Sequence, residues 1–223
     1  MKKLVAAFVL AAAGAVFADT TPVMVSLVTP VQAPSSDYNV AGIRLSLVYG
    51  QSRDFKGLDL GIANRSTGDF TGVGIGGANI ADGILYGGHL GLVNWNGNKS
   101  REWATVSKGG QIGLVNYADS FCGLQDGVIN VTDGLFTGLQ SALLNVTEDL
   151  YGCQCGFYVF LGANIANGSV RGCQLGLVNY AEEMEKGIQI GIINIISRGG
   201  WAPVRPIVTG RFGRDRQGCV PQK

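Results

Sequence analysis

A short tandem repeat constrains the fold of this chain more than any other feature of its sequence. Nine segments follow the pattern Gly-Leu-Gln-Ile-Gly-Leu-x-Asn with substitutions, at an underlying period of 15 residues. The segments begin at Gly57, Gly72, Gly87, Gly109, Gly123, Gly138, Gly152, Gly172 and Gly187. Because a unit this short cannot bury a hydrophobic core alone, neighbouring units have to pack against one another.

Three positions recur almost without change in these units. The fifth residue is Gly in eight units, and Ala142 is the exception. The third residue is Gln in six units, namely Gln111, Gln125, Gln140, Gln154, Gln174 and Gln189. The eighth residue is Asn in every unit, namely Asn64, Asn79, Asn94, Asn116, Asn130, Asn145, Asn164, Asn179 and Asn194. We predict that the Asn side chains form a structural ladder, because stacked repeats place identical residues above one another.

Alternation of residue types within each unit predicts a β-strand. Positions 2, 4 and 6 are mostly Leu, Ile or Val, whereas positions 1, 3 and 5 are Gly, Gln and Gly. Such alternation is typical of a strand with one apolar face, and that face is expected to lie in the core. Asp-Gly pairs at residues 82–83 and 133–134 suit tight turns. The repeat region is therefore predicted to be all-β.

Two architectures can be built from such units. In a β-solenoid each unit is one coil, parallel strands stack about 4.8 Å apart, and each repeated residue becomes a column. In an antiparallel up-and-down β-barrel of outer-membrane type, each unit is one strand of about twelve residues followed by a turn. The solenoid is favoured, because stacking of like residues explains why Asn recurs at one position and antiparallel pairing does not.

The N-terminus has the pattern of a secretory signal. Lys2 and Lys3 precede an uncharged run over residues 4–18, which ends in Ala18. A basic start, a short apolar run and a small-residue exit predict cleavage and export, and the run is short for a membrane-spanning helix. We therefore predict an exported protein at the cell surface, in the outer membrane or in the periplasm.

The signal and the repeats divide the chain into four predicted segments. Residues 1–18 are the signal peptide, and residues 19–56 form N-terminal strands or a cap. Residues 57–196 form the nine-unit β-repeat domain, and residues 197–223 supply a terminating strand and a loose tail. A repeat array needs ends that differ from its repeats, which is the reason for expecting a cap.

Charge and composition argue against nucleic acid as a partner. Loss of Lys2 and Lys3 with the signal leaves 15 basic against 16 acidic residues, and charged residues make up 15% of the chain. Gly accounts for 35 of 223 residues, about twice its ordinary share. High apolar content together with high Gly indicates repeated tight packing rather than disorder.

The repeat resembles that of a family of bacterial secreted surface-repeat proteins, which carry tandem Gly-Leu-Gln-Ile-Gly-Leu-x-Asn units. The similarity covers residues 57–196 and extends toward Pro206. The segment Ser-Leu-Val-Thr-Pro at residues 26–30, followed by residues 45–50, is also similar to that family. The resemblance implies export and a surface location, and it implies no chemistry.

No constellation of residues predicts catalysis, a cofactor or a metal. His89 is the only His, and it occupies position 3, where six other units have Gln. A metal site or a nucleophilic triad needs several converging groups, so His89 is interpreted as a substituted ladder residue. The glycines of residues 72–77 superficially resemble a phosphate loop, but no predicted helix follows them, which that motif requires.

Three cysteines fall where other units have Leu or Ile. Cys153 and Cys155 are at positions 2 and 4 of the seventh unit, and Cys173 is at position 2 of the eighth. They are interpreted first as small core residues. The alternative is a disulfide between Cys153 and Cys173, since stacked equivalents lie about 4.8 Å apart and export favours oxidation. A metal-binding Cys cluster is the least favoured, because no His supports it.

Acidic residues mark two further features. Asp126 and Ser141 occupy position 4 of neighbouring units, where a core residue is expected, and a buried carboxylate requires a hydrogen-bonding partner. The two residues are interpreted either as contacting each other or as marking where that face is wet. The eleventh position is acidic in five units, namely Asp82, Asp119, Asp133, Glu148 and Glu182. In a solenoid these acids form a column at a solvated turn edge, with Ca²⁺ binding as the less favoured interpretation.

These observations favour an exported, non-enzymatic surface protein with a structural, adhesive or interaction role toward an unknown surface ligand or protein. The Gln and Gly face is expected to be the flat binding surface, with residues 95–108 as the most distinctive contact. The alternative is an outer-membrane barrel that acts as a channel or anchor. A carbohydrate-cleaving enzyme is ranked last, because it needs paired carboxylates in a groove.

Overall fold

In the computed structural model, the regular elements of the described residues are all β-strands. The structure describes residues 19–97, 106–156, 161–198 and 204–212. No helix in these ranges is long and apolar enough to cross a membrane. The predicted signal peptide lies outside the described residues, as do residues 98–105 of the longer connection and residues 213–223 of the predicted tail.

The described ranges contain fourteen strands, several of which continue from one coil into the next. The strands are β1 (Thr20–Val28), β2 (Val31–Ala33), β3 (Asn39–Ser52), β4 (Phe55–Ser66), β5 (Phe70–Ala81), β6 (Leu85–Asn96), β7 (Ser107–Ile112), β8 (Val115–Ala118), β9 (Phe121–Asp126), β10 (Ile129–Ala142), β11 (Leu144–Gly156), β12 (Ala163–Leu175), β13 (Val178–Arg198) and β14 (Val204–Arg211). Strands β10 to β13 each pass through a bulged bend, so one strand serves the end of one coil and the start of the next.

Successive coils stack in parallel and in register. Gly57 pairs with Gly72 and Asn64 with Asn79, so each residue of the repeat lies above its equivalent. Among the described strands, antiparallel pairing occurs at the two ends of the stack, between β1 and β2 and between β13 and β14. The predicted β-solenoid is therefore confirmed, and the antiparallel alternative is wrong because consecutive coils run in the same direction.

A glycine begins each coil because neighbouring backbones approach too closely there for a side chain. Ten stacked glycines from Gly42 to Gly187 have φ between 132° and 157°. A Cβ at any of them would lie 1.8–2.1 Å from a carbonyl oxygen of the preceding coil. Only Gly tolerates both this conformation and this contact. Gly42 lies in β3, so the region predicted as N-terminal strands or a cap includes a coil of the same kind.

The interior of each coil is about one side chain wide. Gln111, on the first strand of its coil, donates from Nε2 to the Tyr117 carbonyl on the second strand at 3.2 Å. Gln174 makes the equivalent hydrogen bond to Tyr180 at 3.1 Å. Buried apolar residues form a column two residues before the first glycines, including Val40, Phe55, Phe70, Leu85, Phe121, Phe136, Leu150 and Val170. This column and a row of buried alanines form the core, and polar side chains, mostly amides, fill much of the remaining interior.

The two faces of the repeat strand are reversed relative to the prediction. The apolar side chains of positions 2, 4 and 6, expected in the core, point outward, and Ile62 and Leu92 are 63% and 60% exposed. The glutamines, expected on a flat binding surface, are fully buried. A narrow interior has no room for branched side chains from both strands, whereas stacked amides satisfy one another's hydrogen bonds.

Candidate functional site

The nine repeat asparagines form a continuous hydrogen-bonded column inside the coils. Each Nδ2 donates to the Oδ1 of the next coil, from Asn64 to Asn79 (3.2 Å) at one end to Asn179 and Asn194 (2.7 Å) at the other. The same groups also donate to the position-4 carbonyl of the next coil, as Asn79 does to Leu90 at 2.9 Å. Asn recurs because this amide is satisfied by its copies in the stack.

The glutamines form a second column that runs in the opposite direction. From Gln125 to Gln189, each Nε2 donates to the Oε1 of the preceding coil, as Gln125 does to Gln111 and Gln189 does to Gln174, both at 2.7 Å. The side-chain amide oxygens that receive no hydrogen bond lie at the ends of the two columns. Within the part of the chain that the structure describes, Asn64 Oδ1 and Gln189 Oε1 have no hydrogen-bond partner. The amide hydrogen bonds therefore continue from coil to coil and stop only where each column ends.

An ion pair replaces the amide in the first coils of the same position-3 column. Arg44 is fully buried and binds both carboxylate oxygens of Asp59, through Nε at 2.8 Å and Nη2 at 2.5 Å. Its Nη1 donates to the Ser52 hydroxyl and to the Arg65 carbonyl, each at 2.8 Å. Burial raises the pKa of Asp59, and the Arg44 guanidinium opposes that effect. Both charges are therefore paired inside the protein, away from solvent.

His89 occupies the same column and is also buried. Its ring packs edge-on against Phe70, with ring centroids 4.6 Å apart. Burial lowers the pKa of His89 to about 3, and the positive charge of Arg44 contributes. His89 is therefore neutral at ordinary pH. It stands where Gln stands in later coils, as the sequence indicated, and the interior holds it away from solvent.

The three clustered cysteines lie on the outer face, so their interpretation as core residues is wrong. Cys153 and Cys173 form a disulfide that joins neighbouring coils, with Cα atoms 4.7 Å apart. Cys155 is a free, half-buried thiol whose Sγ lies 3.7 Å from Cys153 Sγ. Burial raises the pKa of the Cys155 thiol. The disulfide thus links two coils from outside, beside the apolar side chains of the same positions.

The outward side chains at positions 2, 4, 6 and 7 form an apolar edge along the described coils. Its most exposed members are Ile43, Leu45, Leu47, Val48, Leu58, Ile62, Val73, Ile75, Leu90, Leu92, Val93, Ile112, Leu114, Val115, Val128, Leu139, Leu143, Ile190, Ile192 and Ile193. With coils about 4.8 Å apart, this edge is roughly 50 Å long. Soluble monomers rarely expose contiguous apolar patches beyond a few hundred Å², so the apolar edge is the candidate functional site.

The apolar edge wraps around the turn between the two strands of each coil. In one coil, β7 ends at Ile112, β8 begins at Val115, and Leu114 lies in the turn between them. Side chains at positions 2 and 4 point away from one face of the narrow interior, and those at position 7 point away from the other. The edge is therefore a wedge that is apolar on both sides and at its tip.

The backbone of this wedge has hydrogen-bond partners in neighbouring coils. The Leu114 N–H donates to the Leu92 carbonyl at 2.9 Å, and the Val128 N–H donates to the Leu114 carbonyl at 3.0 Å. Position-4 carbonyls accept from the Asn column, as Ile112 does from Asn94 at 2.9 Å. The tip consequently presents hydrocarbon outward while its polar groups are paired along the stack.

Basic and aromatic side chains border the apolar edge. The residue before the first glycine is basic or Tyr in six coils, and we call this row the basic shoulder: Lys56, Tyr86, Lys108, Tyr151, Arg171 and Lys186. Within it, Arg171 lies 5.2 Å from the Tyr151 ring centroid and also forms an ion pair with Glu185. On the other face, position 9 carries Trp95 and Tyr117, whose rings stack with centroids 3.9 Å apart.

The opposite turn of each coil forms an acidic edge. Its acids are Asp54, Asp69, Asp82, Asp119, Asp133, Glu148, Asp149, Glu182 and Glu183. Some bind backbone of the next coil, as Asp69 Oδ1 accepts from the Ile84 N–H at 2.8 Å. Across the described ranges, no three His, Cys, Asp or Glu side chains are grouped so that they could hold a metal ion. The five acids of position 11 lie in this edge.

Asp126 and Ser141 occupy a position at which a core residue was expected, but they lie on the outer face, in agreement with the alternative that they mark where that face is wet. They pair in register on the outer face and are both half-buried. Asp126 is the only acid at positions 2, 4, 6 or 7 in the part of the chain that the structure describes. The two residues therefore form a polar interruption within the apolar edge.

Sequence reasoning identified the correct columns but expected the Gln and Gly face to be exposed, whereas the structure exposes the apolar face. The apolar side chains that form the exposed surface had been assigned to the core. A usable signal was present: Phe55 and Phe70 alternate in step with Gly and position 3, which puts the largest side chains on the Gln face. Only the ends of the connection over residues 95–108, predicted as a contact, are described.

No protein-family model, curated protein or solved structure matches this chain. The resemblance to secreted surface-repeat proteins therefore stays a prediction, and the function has to be argued from the geometry of the apolar edge.

Proposed function

We propose that the protein is an exported, non-enzymatic repeat protein with a structural or adhesive role, which acts by covering its apolar edge with a partner. The observation that carries this proposal is the exposure of Leu, Ile and Val at the same positions of coil after coil. Each Å² of apolar surface removed from water contributes about 25 cal/mol, so an edge of this length favours association strongly.

The repetition of the surface favours contact over catalysis. A catalytic site needs different groups that converge on one place, whereas the apolar edge repeats the same kind of side chain along the stack. Asp59 and His89, whose pKa values are shifted, are buried and packed within the interior. They serve the fold of the first coils.

Export is part of the proposal on the grounds of the N-terminal pattern and the resemblance. The Cys153–Cys173 disulfide supports it, because such bonds persist in oxidising compartments. The alternative of a channel depended on an antiparallel barrel. It receives no support from a parallel solenoid whose interior is filled by side chains.

The proposal is tested by fractionating cells that export three forms of the protein. An edge variant carries Ile62→Glu, Leu92→Glu and Leu114→Glu, at turn residues that are 63%, 60% and 52% exposed. A matched control carries Thr67→Glu, Asn167→Glu and Ser197→Glu, at exposed residues of the opposite turn, and adds the same charge.

We expect the native protein and the control to sediment with the cell envelope, and the edge variant to be released as a soluble, equally β-rich protein. Circular dichroism checks that all three forms fold alike. The proposal is overturned if the native protein is itself released as a monomer, or if the edge variant distributes as the native protein does.

A further inference from the structure

We propose that the partner of the apolar edge is an anionic phospholipid bilayer, into which the wedge inserts side-on while the acidic edge stays in water. This inference rests on the proposed function, since it names what covers the same edge. It is carried by the depth of the wedge, its paired backbone, the order of charges across the coil, and the opposite orientation of its two apolar faces.

The depth of the wedge matches one lipid leaflet. From position 2 to position 6 the strand advances four residues, or about 13 Å. The hydrocarbon core of a bilayer is about 30 Å thick, so one leaflet offers about 15 Å. The long axis of the stack, roughly 50 Å, then lies in the plane of the membrane. The protein therefore lies on the membrane without spanning it.

The paired backbone removes the main obstacle to insertion. Hydrocarbon tolerates peptide groups only where their hydrogen bonds are made within the protein. At the tip, the Leu114 and Val128 N–H groups donate to carbonyls of neighbouring coils, and Asn94 Nδ2 donates to the Ile112 carbonyl. The opposite turn differs, because carboxylates such as Asp69 bind its backbone and need water. Each coil thus has one turn that suits hydrocarbon and an opposite turn that suits solvent.

The charges and rings follow the order of a membrane interface. Lys56, Lys108 and Lys186 of the basic shoulder lie just beyond the apolar positions, at the depth of lipid phosphates. Tyr86 in that row and Trp95 on the opposite face are 42% and 44% exposed, at the level where aromatic belts occur. Anionic headgroups complement this arrangement, since most of the exposed acids lie at the far edge, with Asp126 in the apolar edge and Glu185 beside Arg171 as exceptions.

The opposite orientation of the two apolar faces disfavours a second copy as the occupant. A flat dimer contact on positions 2 and 4 leaves position 7 and the tip exposed, so each added copy leaves another apolar face open. Such contacts produce open stacks rather than a closed assembly. Lipid chains, in contrast, surround a wedge on both sides at once. A concentration-dependent series of oligomers without lipid is the result that would identify a second copy instead.

The test measures flotation of the processed protein, which starts near Asp19, with vesicles of equal parts phosphatidylglycerol and phosphatidylcholine. We expect native protein and the Thr67, Asn167, Ser197 control to float, and the edge variant to bind more than about a hundredfold more weakly. Replacement of Lys56, Lys108 and Lys186 by Gln should weaken binding about fivefold for each lysine. On pure phosphatidylcholine the Lys replacements should have no effect.

A gain of binding provides a second test, for a variant whose circular dichroism matches that of the native protein. Asp126 interrupts the apolar edge, and its carboxylate opposes insertion. Asp126→Leu should strengthen flotation about tenfold, with Asp133→Leu on the acidic edge as the unchanged control.

Failure of folded native protein to float, or equal binding by native and edge variant, overturns the lipid assignment. If the edge still retains the protein in the cell envelope, the proposed function survives with another partner. If that retention is lost as well, both proposals fail.

Discussion

The first coils and the later coils of the solenoid fill the same interior column by different chemistry. From β3 to β6, position 3 is Arg44, Asp59, Gly74 and His89, whereas from β7 onward it is Gln in each described coil. The first set consists of one ion pair and one aromatic contact between particular coils. The second repeats a single hydrogen bond along the stack.

The difference shows that the narrow interior can be filled in two ways. The same side chain can recur in every coil, or two different side chains can pair between two particular coils. An amide that bonds to its own copy allows any coil to stack on any other, so the Gln column by itself does not specify the order of the later coils. The Arg44–Asp59 pair requires two particular neighbours, and each is costly to bury alone. We therefore expect the first coils to be more sensitive to single substitutions and to pH than the later coils.

The largest effect is expected where one charge of the ion pair is removed. Asp59→Asn leaves the Arg44 guanidinium buried without a counter-charge, which should lower the free energy of unfolding by about 3–5 kcal/mol. Urea denaturation followed by circular dichroism measures the loss. Asp133→Asn, at an exposed acid, is the control and should change it by less than about 0.5 kcal/mol. A loss below about 1 kcal/mol for Asp59→Asn would remove the contrast between the two regions.

The disulfide is the covalent counterpart of that ion pair in the later coils. Replacing both Cys153 and Cys173 by Ser should lower the free energy of unfolding by about 3 kcal/mol, because the closed segment has a sequence separation of 20. Both must be changed, since Cys155 lies close enough to Cys153 to offer another partner. Cys122→Ser is the control and keeps the bond. Equal stability of the double variant and the control under oxidising conditions would contradict the expectation.

Removing one rung of the amide column should cost less than breaking the ion pair. Gln140 donates to Gln125 and Thr132 and accepts from Gln154, so Gln140→Leu removes three hydrogen bonds. Gln125 and Thr132 still bond to each other, whereas Gln154 Nε2 is left buried without this acceptor. A loss of about 2–3 kcal/mol is expected from urea denaturation. Leu139→Gln, a change at the neighbouring exposed position, is the matched control and should be nearly neutral. A loss as large as that of Asp59→Asn would show that the two columns are equally demanding.

Much of the fold could be predicted from the sequence because repetition makes stacking visible. The Asn column from Asn64 to Asn194 requires like residues to meet, and only parallel coils satisfy that. The insertion-free units also fix which residues pair. What alternation alone could not decide was which face is inside, since period two defines two faces without ordering them.

The inside face was misassigned because hydrophobicity usually marks the core. Here the interior is so narrow that Gln111 reaches the opposite backbone, and amides in columns lose little by burial because their copies bond to them. The Arg44–Asp59 pair was also missed, because Arg44 lies before the first recognisable unit and no repeat signal includes it. The candidate site thus depended on a dimension, the width of the coil, that local patterns do not specify.

The smallest expected effect is on the pH dependence of the free energy of unfolding, to which His89 of the first coils contributes. The folded pKa of His89, about 3, lies below its ordinary value of 6.5, because burial and the charge of Arg44 oppose protonation. The unfolded chain therefore binds a proton below pH 6.5 that the folded chain does not. Stability from this group is fully present above pH 6.5 and is lost as pH falls toward 3, by about 2 kcal/mol at pH 5.

His89→Gln gives the first coils the residue of the later coils and removes the titrating group. Gln111 Nε2, which now bonds within its own coil, gains the acceptor that the other glutamines have. We expect urea denaturation at pH 7, 6 and 5 to show a flatter stability profile for His89→Gln than for the native protein. Acids elsewhere titrate in both proteins, so the difference between the profiles reports His89 alone. Parallel profiles would mean that the imidazole is accommodated in its charged form, and that the first coils owe their distinct character to the Arg44–Asp59 pair only.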